Sequence, residues 1–126
     1  MQMPAQAADW IMIVGGLLTA TMVQAAIAPR FALRSMFGEE LTGTLAEILV
    51  RNWGVLVTLI GLTLIYGGAT ASHRSLILAV AIASKIAFIL LVLALGRSYL
   101  RRPVGLALGV DAVLALLFTL ILLAGA

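Results

Sequence analysis

The chain has no cysteine and a single histidine, His73. The absence of cysteine excludes disulfide bonds, thiol redox chemistry, iron–sulfur clusters and thiolate metal sites. One histidine cannot supply the two axial ligands of a bis-histidine haem or a histidine-rich metal site. We therefore expect no metal site within one chain.

Charged residues are also scarce. They make up 10% of the sequence, while 63% of the residues are hydrophobic and the mean hydropathy is +1.20. A soluble domain carries about 25% charged residues. This chain of 126 residues therefore cannot bury its apolar side chains in a water-soluble fold. We expect one integral membrane domain over residues 1–126. The net charge of +3 is too small for a basic nucleic-acid-binding surface, and no nucleic-acid partner is expected.

Catalytic motifs are missing as well. No nucleophile stands beside a histidine base, no carboxylates are paired within an apolar stretch, and no phosphate-binding loop is present. We favour a non-enzymatic protein and predict no cofactor, with a quinone-like ligand as the alternative. An oxidoreductase would need most of its chemistry from a partner chain or a cofactor.

Four apolar stretches are long enough to cross a hydrocarbon core of about 30 Å as helices. They cover residues 10–28, 53–70, 76–96 and 104–123. Their continuous apolar character, without strict alternation, predicts helices, so the expected fold is an all-α bundle of four transmembrane helices. Residues 1–8 contain no Lys or Arg, and we expect the first span to be retained rather than removed as a signal peptide.

The connection between the first two spans, residues 30–52, is the longest polar segment. Leu41, Leu45 and Ile48 recur at helical spacing in its second half. Two alternatives remain open: an interfacial helix, or a second span that begins near Leu41. A straight helix from Leu41 to Ala69 would be about 44 Å long and would protrude or tilt.

Two rows of small residues predict close helix contacts. Gly105 and Gly109 form a GxxxG motif in the fourth span, and Ala79, Ala83 and Ala87 form a similar row in the third. These rows are compatible with a monomer or a homo-oligomer.

The arginines predict the orientation, because Lys and Arg are enriched in cytoplasmic loops. Arg30, Arg34 and Arg51 lie in the first connection, and the third connection holds three more. Those three are Arg97, Arg101 and Arg102. The opposite face has only Arg74. Both termini are therefore expected outside the cytoplasm. The three arginines of the third connection are also candidates to bind lipid headgroups, and membrane lipids are expected partners.

The most informative residue is Lys85, near the middle of the third apolar stretch. A lysine at that depth costs roughly 2.5–3.5 kcal/mol on insertion scales. Asp111 in the fourth span is the expected partner, because the two residues would lie about 16 and 12 Å from the cytoplasmic ends of their helices. The pair could bind an ion, a proton or a quinone-like headgroup. Alternatively it fixes the helix register, or the lysine extends towards the interface.

A second polar pair is expected at the cytoplasmic end of the bundle. Glu47 and Arg51 have the i,i+4 spacing that favours an ion pair on a helix. Gln24 and Asn52 could join them in a polar cluster. The alternative is a solvated helix pair with no further role.

Several of these residues also occur in a recognisable pattern. They are Pro29, Gly38, Glu47, Arg51, Gly54 and Gly61, with the string Arg-Asn-Trp-Gly at 51–54 and the string Ala-Ser-Lys-Ile at 83–86. The pattern resembles the DoxX-like family of small bacterial four-helix membrane proteins. The resemblance implies an inner-membrane protein, some of whose relatives are associated with quinone-linked sulfur oxidation or membrane redox complexes. In that case Glu47 and Arg51 would be the polar residues to suspect.

Three functional hypotheses follow. The first is an accessory membrane protein that binds a lipid or quinone-like ligand through Glu47, Arg51, Lys85 and Asp111. The second is a small proton- or ion-coupled transporter or channel that uses Lys85 and Asp111. The third is a subunit of a membrane redox complex whose redox centre lies on another chain.

Overall fold

The computed structural model describes residues 4–39 and 41–125. They form six α-helices and one 3-10 helix, and no strand occurs in this part of the chain. The α-helices are α1 (Ala5–Ala20), α2 (Val23–Ile27), α3 (Pro29–Phe37), α4 (Thr44–Thr70), α5 (Arg74–Leu95) and α6 (Pro103–Leu123). The predicted all-α bundle is confirmed, and four helical segments are long and apolar enough to cross a membrane.

The first span is a broken helix rather than the continuous one that was predicted. α1 and α2 together cover the span Gln6–Ile27, with a break at Thr21 and Met22. At the break the backbone hydrogen bond spans three residues instead of four, because the Thr21 N–H donates to the Leu18 carbonyl at 3.3 Å. The Thr21 hydroxyl donates to the same carbonyl at 2.6 Å. Threonine hydroxyls that bond the preceding turn bend helices in this way.

In the structure the connection follows the second alternative, an extended second span, and its second half is not a separate interfacial helix. Its second half lengthens the second span, because α4 begins at Thr44 rather than near residue 53 and contains 27 residues, about 40 Å of helix. Its first half forms a helix that the sequence pattern had not indicated, α3. Pro29 occupies the first turn of α3, where its missing N–H costs nothing. Gly38 ends it with a φ of 74°, in the left-handed region that glycine tolerates.

The last two spans match the predicted boundaries closely, at Arg74–Leu95 and Pro103–Leu123. Pro103 lies in the first turn of α6, where its missing N–H costs nothing. A 3-10 helix, Arg97–Arg101, joins α5 to α6. The turn between α4 and α5 contains Ala71 and His73, both with a φ of 57°.

Helix α1 lies very close to α4, and glycines permit this. A Cβ atom added to Gly16 would lie 2.6 Å from the Gly61 carbonyl oxygen, and one added to Gly61 would lie 2.7 Å from the Gly16 oxygen. Gly68 meets Asp9 and Met12 of α1, and Gly54 meets Ala25 and Ala26 of α2. Each lies seven residues from Gly61. The heptad spacing keeps all three glycines of α4 on one face.

Most of the small residues in the predicted rows lie outside the contact surfaces of the described chain. Gly105 is the exception, because an added Cβ atom would clash with the Leu100 carbonyl of the 3-10 helix. Ala79, Ala83 and Ala87 of α5 are exposed. A Cβ atom on Gly109 would meet nothing within 4 Å. Of the α5 alanines, Ala81 is the one that is buried. The main core joins α1, α4, α5 and α6, and its largest fully buried side chains are Met12, Leu64, Leu78, Phe118 and Ile121.

Candidate functional site

The structure brings Lys85 and Asp111 together in the middle of the bundle. Lys85 lies near the centre of α5, roughly 15 Å from either end of that helix. Its ammonium nitrogen donates to Asp111 Oδ1 at 2.8 Å and to the Thr19 hydroxyl oxygen at 3.1 Å. The Lys85 side chain is 6% exposed, so the ion pair has taken the place of water around its charge.

Thr19 is the member of this site that sequence analysis missed. Its hydroxyl donates to the Gly15 carbonyl at 2.7 Å, which leaves oxygen lone pairs to accept from Lys85. The helix break at Thr21 follows two residues later, so the site lies beside the break in the first span. The only sequence signal for Thr19 was its position in the first span at about the depth of Lys85, and this signal is weak.

The site is not saturated. A lysine ammonium has three N–H donors, and Lys85 uses two of them within the described chain. Asp111 accepts one hydrogen bond there and remains 25% exposed. The site can therefore donate one further hydrogen bond and accept others at mid-membrane depth, which suits a ligand carrying both a carbonyl and a hydroxyl group.

Glu47 and Arg51 form the second predicted pair, at 3.0 Å and near the start of α4. Their side chains are 46% and 44% exposed. Arg51 also donates to the carbonyls of Ala26 at 2.6 Å and Ile27 at 3.2 Å. These carbonyls end α2, where a cation complements the helix dipole. Arg51 thus ties α4 to the end of the first span.

The other two residues of the predicted cytoplasmic cluster do not bind to Glu47 or Arg51. Gln24 is half-buried on α2 and Asn52 is exposed on α4. Neither side chain makes a hydrogen bond within residues 4–39 and 41–125. Nor do the contacts of Arg51 and Lys85 share a residue, since Arg51 reaches Ala26 and Ile27 whereas Lys85 reaches Thr19. The two predicted pairs are separate polar centres.

A third ion pair, between Asp9 and Arg74, was not predicted. Arg74 is 9% exposed and pairs with Asp9 of α1. It also donates from Nε to the Gly67 carbonyl at 2.9 Å and from Nη2 to the Gly68 carbonyl at 3.1 Å. The signal was available, because antiparallel spans place residue 9 and the 71–75 turn at the same end of the bundle. Arg74 had been considered only for its effect on topology.

The predicted lipid-binding arginines lie around the 3-10 helix. Arg97, Arg101 and Arg102 are all exposed. Tyr99, in the same segment, packs its ring edge-to-face against Phe37 of α3, with centroids 5.2 Å apart. Hydrogen bonding to Glu39, together with the negative charge of that carboxylate, raises the pKa of the Tyr99 hydroxyl.

Comparison with known proteins adds no further identification: no protein-family model, curated protein or solved structure matches the chain. The resemblance to the DoxX-like family stays a prediction. In the structure, two residues of that pattern, Gly54 and Gly61, serve helix packing, and Arg51 caps α2. Within the described residues, no group of three His, Asp or Glu side chains could hold a metal ion.

Proposed function

We propose that this multi-pass membrane protein is a non-enzymatic binder of a quinone-like ligand, held at Lys85 and Asp111. The observation that carries the proposal is the unsaturated ion pair at mid-membrane depth. Its spare ammonium N–H can donate to a quinone carbonyl oxygen. The second carboxylate oxygen of Asp111 can accept from the hydroxyl of the reduced, quinol form.

The depth of the pair favours this ligand class over a phospholipid headgroup. Asp111 lies about 12 Å from the start of α6 and Lys85 about 15 Å from the ends of α5. The charged headgroups of phospholipids stay outside a hydrocarbon core of about 30 Å, whereas a quinone ring is uncharged and can enter it. A ligand held there suits an accessory subunit that positions quinone for a partner chain in the membrane.

Binding of a short-chain quinone analogue to the protein in nanodiscs tests the proposal. The informative variant combines Lys85→Met with Asp111→Leu, because replacing both charges strands neither of them. The loss of two charge-assisted hydrogen bonds should weaken binding at least about tenfold. Titration calorimetry gives the affinity.

The matched control replaces the exposed ion pair by Glu47→Gln with Arg51→Gln. It removes one acid and one base at the other polar centre, and it should leave the affinity unchanged. Equal affinity of all three proteins, or no binding by the wild type, would reject the proposal.

A second candidate function, a small proton-coupled transporter, is favoured by one observation. The first span is broken at Thr21 and Met22, close to the residue that contacts Lys85. Transporters place broken helices next to intramembrane charges. Proton flux in liposomes that is lost in the Lys85→Met and Asp111→Leu protein, without any quinone binding by the wild type, would favour transport over ligand binding.

The proposed location is a bacterial inner membrane, with both termini outside the cytoplasm. The six arginines of the first and third connections support it, against Arg74 alone on the other face. Arg74 does not oppose this orientation, because its charge is buried and paired with Asp9. A reporter enzyme fused to the C-terminus should be active only outside the cytoplasm, and cytoplasmic activity would reverse the assignment.

A further inference from the structure

A groove of about 250 Å³ lies at the arginine-rich end of the bundle, away from the Lys85 site. It is lined by Leu33 and Phe37 of α3, Glu39 and Leu41 of the connection, and Tyr99 of the 3-10 helix. Ligand pockets for drug-sized molecules hold about 300–1,000 Å³. This groove is therefore sized for a polar headgroup rather than for a whole lipid.

The walls of the groove attract a cation. The rings of Phe37 and Tyr99 stand at 88° to each other and form two walls of a corner, and aromatic faces carry negative potential. Glu39 adds a carboxylate that has no ion pair within the described residues. Two rings are too few for the aromatic cage that binds a quaternary ammonium, but the carboxylate can accept hydrogen bonds from a primary one.

A cationic side chain lies directly beside the groove. The backbone of Gly38 runs between Phe37 and Glu39, and a Cβ atom there would lie 3.0 Å from the guanidinium carbon of Arg102. The Arg102 side chain makes no hydrogen bond or ion pair within the described chain. Its planar guanidinium can therefore take a phosphate with two parallel hydrogen bonds. A carboxylate that accepts from Tyr99 but has no ion pair, and a guanidinium without a side-chain partner in the described chain, thus lie beside one glycine.

We propose that this groove binds the headgroup of a phosphatidylethanolamine-type phospholipid. The ammonium group lies against Glu39 and the rings of Phe37 and Tyr99, and the phosphate lies on Arg102. Leu33 and Leu41 supply apolar surface for the glycerol end of the lipid. Of the three arginines expected to bind headgroups, we assign this role to Arg102. The site is independent of the proposed quinone site.

Native mass spectrometry of the full chain in detergent, titrated with defined phospholipids, tests this proposal. Wild-type protein should bind phosphatidylethanolamine about tenfold more tightly than phosphatidylglycerol, which lacks the ammonium group, and more tightly than phosphatidylcholine, which lacks its N–H donors. Glu39→Gln should remove that preference. Arg102→Gln should weaken binding of all three lipids.

Arg97→Gln is the matched control, because it removes the same charge from a residue that neither lines the groove nor lies against Gly38. It should leave the affinities unchanged, and circular dichroism of each variant should show wild-type helix content. Stronger wild-type binding of phosphatidylglycerol would reveal only attraction between arginines and anionic lipid. That result, or equal losses in Arg97→Gln and Arg102→Gln, would overturn the proposal.

Discussion

Two ion pairs contain a buried cation, Asp9–Arg74 and Lys85–Asp111. They differ in the groups to which the cation donates its hydrogen bonds. Arg74 joins a carboxylate of α1 to the Gly67 and Gly68 carbonyls of α4, so its hydrogen bonds close the end of the bundle. Lys85 bonds only side chains, from Thr19 and Asp111, and keeps a donor in reserve. A buried cation whose N–H groups bind backbone carbonyls stabilises the fold. A buried cation that keeps an unused N–H donor at mid-membrane depth can bind a ligand.

The largest expected effect is on the first pair. Arg74→Ala leaves Asp9 and two carbonyls without their donor and should lower the free energy of unfolding by about 3 kcal/mol. Arg74→Lys should recover part of this, because it keeps the charge but loses the guanidinium fork. Unfolding by denaturant in micelles, followed by circular dichroism, measures both. A wild-type stability for Arg74→Ala would contradict the structural role assigned to Arg74.

The second effect distinguishes the Lys85 pair from the first. Lys85→Met alone strands a partly buried carboxylate and should lower the free energy of unfolding by about 2 kcal/mol. Adding Asp111→Leu should restore stability to the wild-type value or above it, because both charges are then gone. The same denaturation experiment reports this. If the double variant is less stable than the single one, the pair is a stabilising structural element like Arg74.

The third effect concerns α1, which supplies Asp9 to the first pair and Thr19 to the site of the second. Gly61→Ala places a Cβ atom against Gly16 and Ala20 and should cost about 1–2 kcal/mol through overpacking. It should also weaken ligand binding, because a shift of α1 moves Thr19 away from Lys85. Gly109→Ala is the control and should change neither value, since its Cβ would meet nothing within 4 Å. Similar stability losses in both variants would argue against the close packing of α1 on α4.

The smallest effect lies outside both pairs, at Tyr99. Because Glu39 raises its pKa, the folded protein holds the phenol proton more tightly than the unfolded chain does. The contact therefore stabilises the fold below the ordinary pKa of 10.0, and this contribution is lost as the pH rises through the raised pKa. Ultraviolet titration of the Tyr66→Phe protein isolates Tyr99. Glu39→Gln should lower the pKa of Tyr99, and an unchanged titration would remove Glu39 as the cause.

The sequence predicted what depends on apolar length and on isolated charges. The four spans follow from apolar length, and Lys85 with Asp111 follows from the cost of an unpaired lysine in lipid. It did not predict Thr19, because a threonine inside an apolar helix usually bonds its own backbone. It also missed the break at Thr21, which depends on local hydrogen bonds that leave no change in hydropathy.

The small-residue patterns gave the least reliable prediction. Gly109 and the alanine row of α5 have the spacing for close contact, yet the first span packs on α4 through Gly16, Gly54, Gly61 and Gly68. Spacing shows that a helix face can be approached, but it does not show which helix approaches it. Asp9–Arg74 was missed for a related reason, since its two residues are far apart in the chain and only the bundle topology brings them together.

The most direct test of the account is native mass spectrometry of the protein released gently from its own membrane. We predict that the wild-type protein carries one small molecule with the mass of a quinone. The Lys85→Met and Asp111→Leu protein should have lost this molecule, whereas the Arg74→Lys protein should retain it. A wild-type protein without bound quinone, or equal retention by the double variant, would contradict the claim that Lys85 and Asp111 form a ligand site.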